Sequence, residues 1–210
     1  MSESMRPSQS PPPGIFRRSC AVYGVIILAS LFVCAFVEKN LTTLFFFPLA
    51  GKGLWHFASV TVLPIGILLA LAQLFENWFA SYRLHRMQLA LILGRLSFAA
   101  SIGLALLAAA GEELLFRGVI QNHLGIFFTS MIVGLLHLSP QGVLTTWSLF
   151  GFLCSVLLGL IFHHKHSIVP GFFIHLAVNL SFLLRLFFSQ KKTGKPLSKP
   201  NSPVSQDSQE

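Results

Sequence analysis

Long apolar runs, separated by short polar stretches, dominate the chain. They lie at about 20–37, 55–78, 88–113, 119–138, 143–162 and 168–188. Each approaches the roughly 20 residues that an α-helix needs to cross the core of a bilayer. The pattern therefore predicts an all-α fold, a polytopic transmembrane helical bundle with six spans. A seventh, partial or re-entrant helix near 111–130 would raise that count to seven.

The composition fits a membrane domain and excludes most soluble classes. Of the 210 residues, 53% are hydrophobic and 10% are charged, whereas soluble domains are roughly 25% charged. The net charge is +8, but the basic residues flank the apolar runs and do not form the stripe typical of nucleic-acid binding. We therefore expect the lipid bilayer as a partner and no nucleic acid. The three cysteines lie inside apolar runs and fit no disulfide or zinc framework.

The basic flanks also predict the orientation of the chain. They mark the N-terminal end, the 76–87 loop and the C-terminal end, and the positive-inside rule places such segments in the cytoplasm. We expect an integral protein of the plasma or inner membrane with both termini cytoplasmic. Residues 1–14 and 190–210 are polar and are expected to be disordered tails of a single transmembrane domain, 15–189.

Two adjacent glutamates and an arginine interrupt the end of the third apolar run. Ionisable groups inside a membrane cost roughly 2.5–3.5 kcal/mol each on insertion scales and usually mark a functional site. Arg117 lies four residues after Glu113, so the two share a helical face and are predicted to pair. Glu112 points about 100° away around the helix and is left free to act.

Three more polar side chains stand in apolar runs: His137, His175 and Asn179. Because His175 and Asn179 are four residues apart, they can direct two hydrogen-bond donors toward one oxygen. A carboxylate can take a proton from water, and histidine and asparagine can stabilise an oxyanion. The set Glu112, His137 and His175 could instead ligate zinc. The residues alone leave hydrolysis and metal binding open, and each residue could also lie at a helix end or bond a neighbouring helix.

A six-span arrangement creates a difficulty of depth for this site. It places Glu112 toward the outer end of the third span and His137 toward the inner end of the fourth. These depths are too far apart for shared chemistry unless the segment between them is broken. The polar stretch 121–125 is the predicted break, since irregular backbone at depth is tolerated when it is buried in protein.

The motif Glu112-Glu113-x-x-x-Arg117-Gly118, followed by a histidine and then by His175-x-x-x-Asn179, resembles the CPBP family of intramembrane CAAX proteases, also called Abi proteins. The resemblance covers roughly 90–185. It implies that Glu112 and His137 activate the attacking water and that His175 and Asn179 form the oxyanion hole. It also implies that Glu113 and Arg117 brace the site. One departure is Val133, where the family commonly has phenylalanine.

The resemblance implies an intramembrane endopeptidase acting on a peptide or protein at the membrane, with prenylated proteins as one substrate class. We expect no cofactor; zinc held by Glu112, His137 and His175 is the alternative. Two other functions stay open: a non-enzymatic immunity or scaffold protein of the same fold, and a small proton-coupled transporter with Glu112 and His137 as a relay. The sequence identifies neither the substrate nor the oligomeric state.

Overall fold

The computed structural model describes residues 14–47, 53–94, 96–138 and 144–193, with side chains up to residue 189. The described residues form helices and contain no strand. The helices are α1 (Ile15–Phe32), α2 (Leu41–Phe45), α3 (Gly53–Trp78), α4 (Ala80–Leu93), α5 (Phe98–Glu113), α6 (Gln121–Leu136), α7 (Thr146–Lys165) and α8 (Val169–Thr193). Two π-helical segments, Val33–Val37 and Leu114–Ile120, continue α1 and α5.

The predicted all-α polytopic bundle is confirmed. Five helical stretches in the described residues are long and apolar enough to cross a membrane: Ile15–Val37, Gly53–Trp78, Phe98–Leu136, Thr146–Lys165 and Val169–Ser189. The third and fourth predicted spans are joined in one 39-residue stretch, so the described residues contain five such stretches where the sequence predicts six spans. The predicted tails lie outside the described residues, except for Gly14 and for residues 190–193, which continue α8.

The third span begins later than the sequence predicts. Residues 88–93 belong to α4, which Gly94 ends with a backbone of φ 62° and ψ −149°. A new helix then starts where the Ser97 hydroxyl accepts a hydrogen bond from the Ala100 amide at 3.1 Å. Serine at this position satisfies one of the free amides at a helix start. The apolar run from 88 is therefore split by a glycine stop and a serine cap.

The chain reverses direction at Gly125, inside the predicted break. Its φ of 71° and ψ of 177° are non-helical, in a region that essentially only glycine adopts. Gln121 and Ile126, on either side of this residue, both pack against Gly159 of α7. The Gln121 amide donates to the Gly159 carbonyl at 2.9 Å, and the Asn122 amide donates to the Gly118 carbonyl at 3.1 Å. The polar residues of this stretch thus supply hydrogen bonds to backbone carbonyls at depth, as a bilayer requires.

The helical segments before and after Gly125, here called the first and second arms, both pack along α7. The first arm places Arg117 beside Ser155, and the second places His137 against Gly151. Gly151, Ser155 and Gly159 form the small-residue face that the sequence shows on this span. Each of these small side chains lets one polar residue approach the α7 backbone closely. A bulkier face would hold both arms away from α7.

Ring contacts hold α4 against α7. The ring centroids of Tyr82 and Trp147 lie 4.9 Å apart, and the His85 ring stacks on Trp147 at 5.0 Å with an interplanar angle of 16°. Burial, with a smaller contribution from His137, lowers the pKa of His85. Burial also raises the pKa of the Tyr82 hydroxyl. Both side chains are therefore held in their neutral forms at neutral pH.

Candidate active site

Five of the six predicted site residues line one cavity of about 480 Å³ between the helices. Its wall includes Glu112 from α5, His137 from the end of α6, and His175 and Asn179 from α8. Arg117 also reaches the wall, and Glu113 lies just behind it in contact with His175. The volume is within the range of ordinary ligand pockets. Groups from separated parts of the chain therefore share one chamber.

Glu113 and Arg117 form the buried pair that their spacing predicts. Nη1 of Arg117 lies 3.5 Å from Oε1 of Glu113, and both side chains are almost completely buried. Nη2 of Arg117 donates to the carbonyl and the hydroxyl of Ser155 at 3.1 and 3.2 Å. A buried ion pair is tolerated only when further hydrogen bonds satisfy its remaining groups. The predicted pairing is thus confirmed, and Ser155 satisfies Nη2 of Arg117, while Nε of Arg117 has no hydrogen-bond partner among the described residues.

The other oxygen of Glu113 faces the start of α8. A Cβ atom at Gly171 would lie 2.6 Å from Oε2 of Glu113, which is closer than any real contact. Among the described residues, this oxygen has no hydrogen-bond partner. Gly171 therefore provides the space in which the buried carboxylate sits.

His175 lies between the two glutamates. Its Nδ1 is 3.0 Å from Oε1 of Glu113, and its Nε2 is 3.7 Å from Oε2 of Glu112. Because a carboxylate only accepts, the Nδ1 proton is the donor in the first contact. The second contact is electrostatic, since 3.7 Å is beyond hydrogen-bonding range. Glu113 thus fixes the ring so that Nε2 is the nitrogen turned toward Glu112.

Glu112 differs from its neighbour in its access to the cavity. Its side chain is 19% exposed, whereas that of Glu113 is 1% exposed. Its Oε1 accepts a hydrogen bond from the Tyr23 hydroxyl at 3.1 Å. Water can therefore reach Glu112, while Glu113 is closed off.

His137 is fixed at the end of α6 with one nitrogen engaged. Its Nδ1 is 2.8 Å from the Val133 carbonyl oxygen, which can only accept. In the neutral ring the proton is then on Nδ1, and Nε2 keeps its lone pair. The Ser148 hydroxyl donates to the His137 carbonyl at 2.9 Å. Because the Val133 contact uses the backbone, valine keeps it where the family commonly has phenylalanine.

Asn179 follows His175 by one helical turn and lines the same cavity. Among the described residues, its side-chain amide has no hydrogen-bond partner. The amide is therefore available to a molecule in the cavity. This placement is the one that the four-residue spacing predicts.

The cavity wall contains possible metal ligands. Glu112, His137 and His175 all line it, and Nδ1 of each histidine is bonded to the protein, which leaves Nε2 as the nitrogen that could bind a metal. Among the described residues, no group of three or more His, Cys, Asp or Glu side chains is gathered to hold a metal ion. Zinc held by these three residues stays an alternative prediction.

Sequence analysis missed Tyr23, which donates to Glu112 from α1. The available signal is that Tyr23 is the single tyrosine in the predicted spans, since the second of the two lies in the 76–87 loop. It also missed a charged group at another part of the cavity wall. There Glu76 pairs with Arg86 at 2.8 Å and with Arg185 at 3.4 Å.

Comparison with known proteins matches residues 94–181 to the family model described as type II CAAX prenyl endopeptidase Rce1-like. Residues 94–181 are thus similar to the Rce1-like family. This segment contains all six motif residues, so the resemblance inferred from the motifs is confirmed. The catalytic roles of these residues remain predictions.

One curated relative is similar to part of the chain. The "Uncharacterized protein YpbD" of Bacillus subtilis (strain 168) is 32% identical over 96 residues. The match covers 45% of this chain and 49% of YpbD, so the chain spans about half the length of that relative. No solved structure matches the chain significantly.

Proposed function

We propose that the protein is a CAAX-type intramembrane endopeptidase that hydrolyses a peptide bond with an activated water. The observation that carries the proposal is the convergence of Glu112, His137, His175 and Asn179 on one cavity inside apolar helices. The Rce1-like match over the same residues supports it. The substrate is a peptide or protein at the membrane, with prenylated proteins as one class.

Glu112 is the proposed base in the first step. It takes one proton from water while the water oxygen bonds to the carbonyl carbon of the scissile peptide. Nε2 of His137, which keeps a lone pair in the neutral ring, accepts the second hydrogen of the same water and orients it. The carbonyl oxygen becomes an oxyanion as the C–O bond forms.

The oxyanion is stabilised by His175 and Asn179. The Asn179 amide donates one hydrogen bond, and protonated His175 donates another through Nε2. Glu113 holds the His175 ring, and Arg117 holds Glu113. The C–N bond then breaks, and the proton taken up by Glu112 passes to the departing amine. The products are a carboxylic acid, which keeps the second water hydrogen, and an amine; proton transfer between them gives a carboxylate and an ammonium group.

We propose that water activation uses no bound metal. Support comes from the described residues, among which no three His, Cys, Asp or Glu side chains are gathered to hold a metal ion. Cleavage should persist after exhaustive chelation. Loss of activity that added zinc restores would contradict this part of the mechanism.

The decisive experiment is Glu112→Gln in the purified full chain, assayed in proteoliposomes with membrane-anchored reporter peptides, including a prenylated one. This change keeps the shape of the side chain but removes the base, so we expect the rate to fall about 10²- to 10⁴-fold. Glu38→Gln is the matched control, because Glu38 pairs with His123 away from the cavity. Wild-type rates in the Glu112→Gln variant would refute the proposal.

The same variant separates the alternative functions. A scaffold or immunity protein should keep its phenotype when Glu112 becomes glutamine. A proton-coupled transporter should lose pH-dependent flux in liposomes without any cleavage in the wild type. The cytoplasmic orientation of both termini, which we also propose, is testable by adding single cysteines to the two tails and labelling them in intact cells.

A further inference from the structure

Tyr23 connects the first helix to the proposed base. Its hydroxyl donates to Oε1 of Glu112 at 3.1 Å and lies in the wall of the cavity. Tyr23 belongs to α1, outside residues 94–181, the segment that matches the family model. The contact therefore adds a group to the site from a part of the chain that the family motifs do not include.

Gly111 makes this contact sterically possible. A Cβ atom at Gly111 would lie 3.1 Å from Cδ1 of Tyr23 and 3.6 Å from side-chain atoms of Ile26 and Ile27. The tyrosine ring therefore lies directly on the α5 backbone, and its hydroxyl reaches the carboxylate of the next residue. Gly111 and Tyr23 thus pack together, and this packing places the Tyr23 hydroxyl at Glu112.

We propose that Tyr23 is a positioning residue for Glu112, and this inference rests on the proposed endopeptidase function. The hydroxyl donates to Oε1 of Glu112, so the carboxylate is oriented with its other oxygen toward His175. Oε2 of Glu112 lies 3.7 Å from Nε2 of His175. Tyr23 thus fixes the direction of the base relative to His175.

The test is Tyr23→Phe, which removes one oxygen and keeps the ring on Gly111. We expect kcat to fall about 10- to 100-fold, which corresponds to a hydrogen bond to a charged group, with KM nearly unchanged. The loss should fall on kcat, because the base loses the partner that orients it while the groups that bind substrate are unchanged. A purely structural role for Tyr23 would instead lower the melting temperature and change KM together with kcat.

Tyr82→Phe is the matched control. It removes the same atom from the other tyrosine of the chain, which packs among Phe75, Trp147 and Phe150 and makes no hydrogen bond to Glu112 among the described residues. We expect its kcat and its KM to match those of the wild type. Equal losses in the two tyrosine variants would overturn the proposal.

Gly111→Ala tests the same packing by an independent change. The added methyl group must push the Tyr23 ring by a few tenths of an ångström, so kcat should fall while KM stays nearly unchanged. The double variant with Tyr23→Phe should lose less than the product of the two single losses, because both act through one contact. Multiplicative losses would contradict the inference, and so would a Tyr23→Phe variant with wild-type kcat.

The outcome for Glu112→Gln separates this inference from the proposed function. If that variant is inactive while Tyr23→Phe behaves as the wild type, the endopeptidase stands and the role of Tyr23 is refuted. If Glu112→Gln keeps full activity, both are refuted. Melting temperatures measured for every variant identify loss of folding, and Gly111→Ala then provides the test if Tyr23→Phe proves unstable.

Discussion

Replacing Gly125 with alanine should destabilise the protein through the backbone alone. Gly125 has a φ of 71° and a ψ of 177°, and no atom lies within 4 Å of a Cβ built on it. The cost is therefore conformational strain and not a clash. A residue with a Cβ in such a region is less stable by about 1–3 kcal/mol. Since 1.4 kcal/mol is a factor of ten, the unfolding equilibrium should shift by roughly 5- to 150-fold.

The same change should affect the site, because Gly125 begins the arm that carries His137. If the turn opens to relieve the strain, His137 moves relative to Gly151, against which its ring packs. Even small displacements of a catalytic group reduce the rate strongly. We therefore expect kcat to fall more than KM rises.

Unfolding of the full chain in mixed micelles, followed by tryptophan fluorescence, measures the free energy directly. Gly66→Ala in α3 is the matched control, because Gly66 is helical and also has no atom within 4 Å of its added Cβ. That variant should be neutral or more stable by up to about 1 kcal/mol, since alanine favours a helix over glycine. A Gly125→Ala variant as stable as Gly66→Ala would refute the argument from backbone strain.

Three further predictions concern the buried charges and His85. Arg117→Met leaves Glu113 buried without its cation and should cost about 3–5 kcal/mol of unfolding free energy; adding Glu113→Gln should recover part of it. Gly171→Ala places a Cβ 2.6 Å from Oε2 of Glu113 and should cost about 1–3 kcal/mol by overpacking. Both are measured by the same unfolding titration, and unchanged midpoints would contradict them. Because burial lowers the pKa of His85 below its usual 6.5, the folded state binds fewer protons than the unfolded state. Stability should therefore be complete above pH 6.5 and fall as the pH drops through the lowered pKa, and His85→Phe should flatten that fall in unfolding curves between pH 5 and 8.

The sequence predicts the features that depend on local spacing. The helical spans follow from the lengths of the apolar runs, and the pairing of Glu113 with Arg117 follows from the four-residue interval. The small-residue face Gly151, Ser155 and Gly159 is also visible in the sequence, and it is the surface on which the two arms pack. In each case the interacting groups lie on one helix or one helical face.

Features that depend on contacts between distant segments are not predictable in this way. Tyr23 reaches Glu112 only because α1 packs on α5 at Gly111, and neither residue indicates the other in the sequence. The sequence does not predict the break between α4 and α5, because Gly94 lies inside an apolar run. Hydropathy alone gives no sign that the helix ends there.

The depth of the site follows from the length of the second arm. Residues 126–136 span about 16 Å at 1.5 Å per residue, which is roughly half of a bilayer core. His137 therefore ends at the level of Gly151, while the arm that bears Glu112 packs at Ser155, about one helical turn away along the same helix. A full-length fourth span would have carried His137 to the opposite side of the membrane. The reversal at Gly125, followed by an arm that stops halfway, brings His137 to the same stretch of α7 as the arm that bears Glu112. The proposed mechanism therefore depends on this turn as much as on the acid and the histidine.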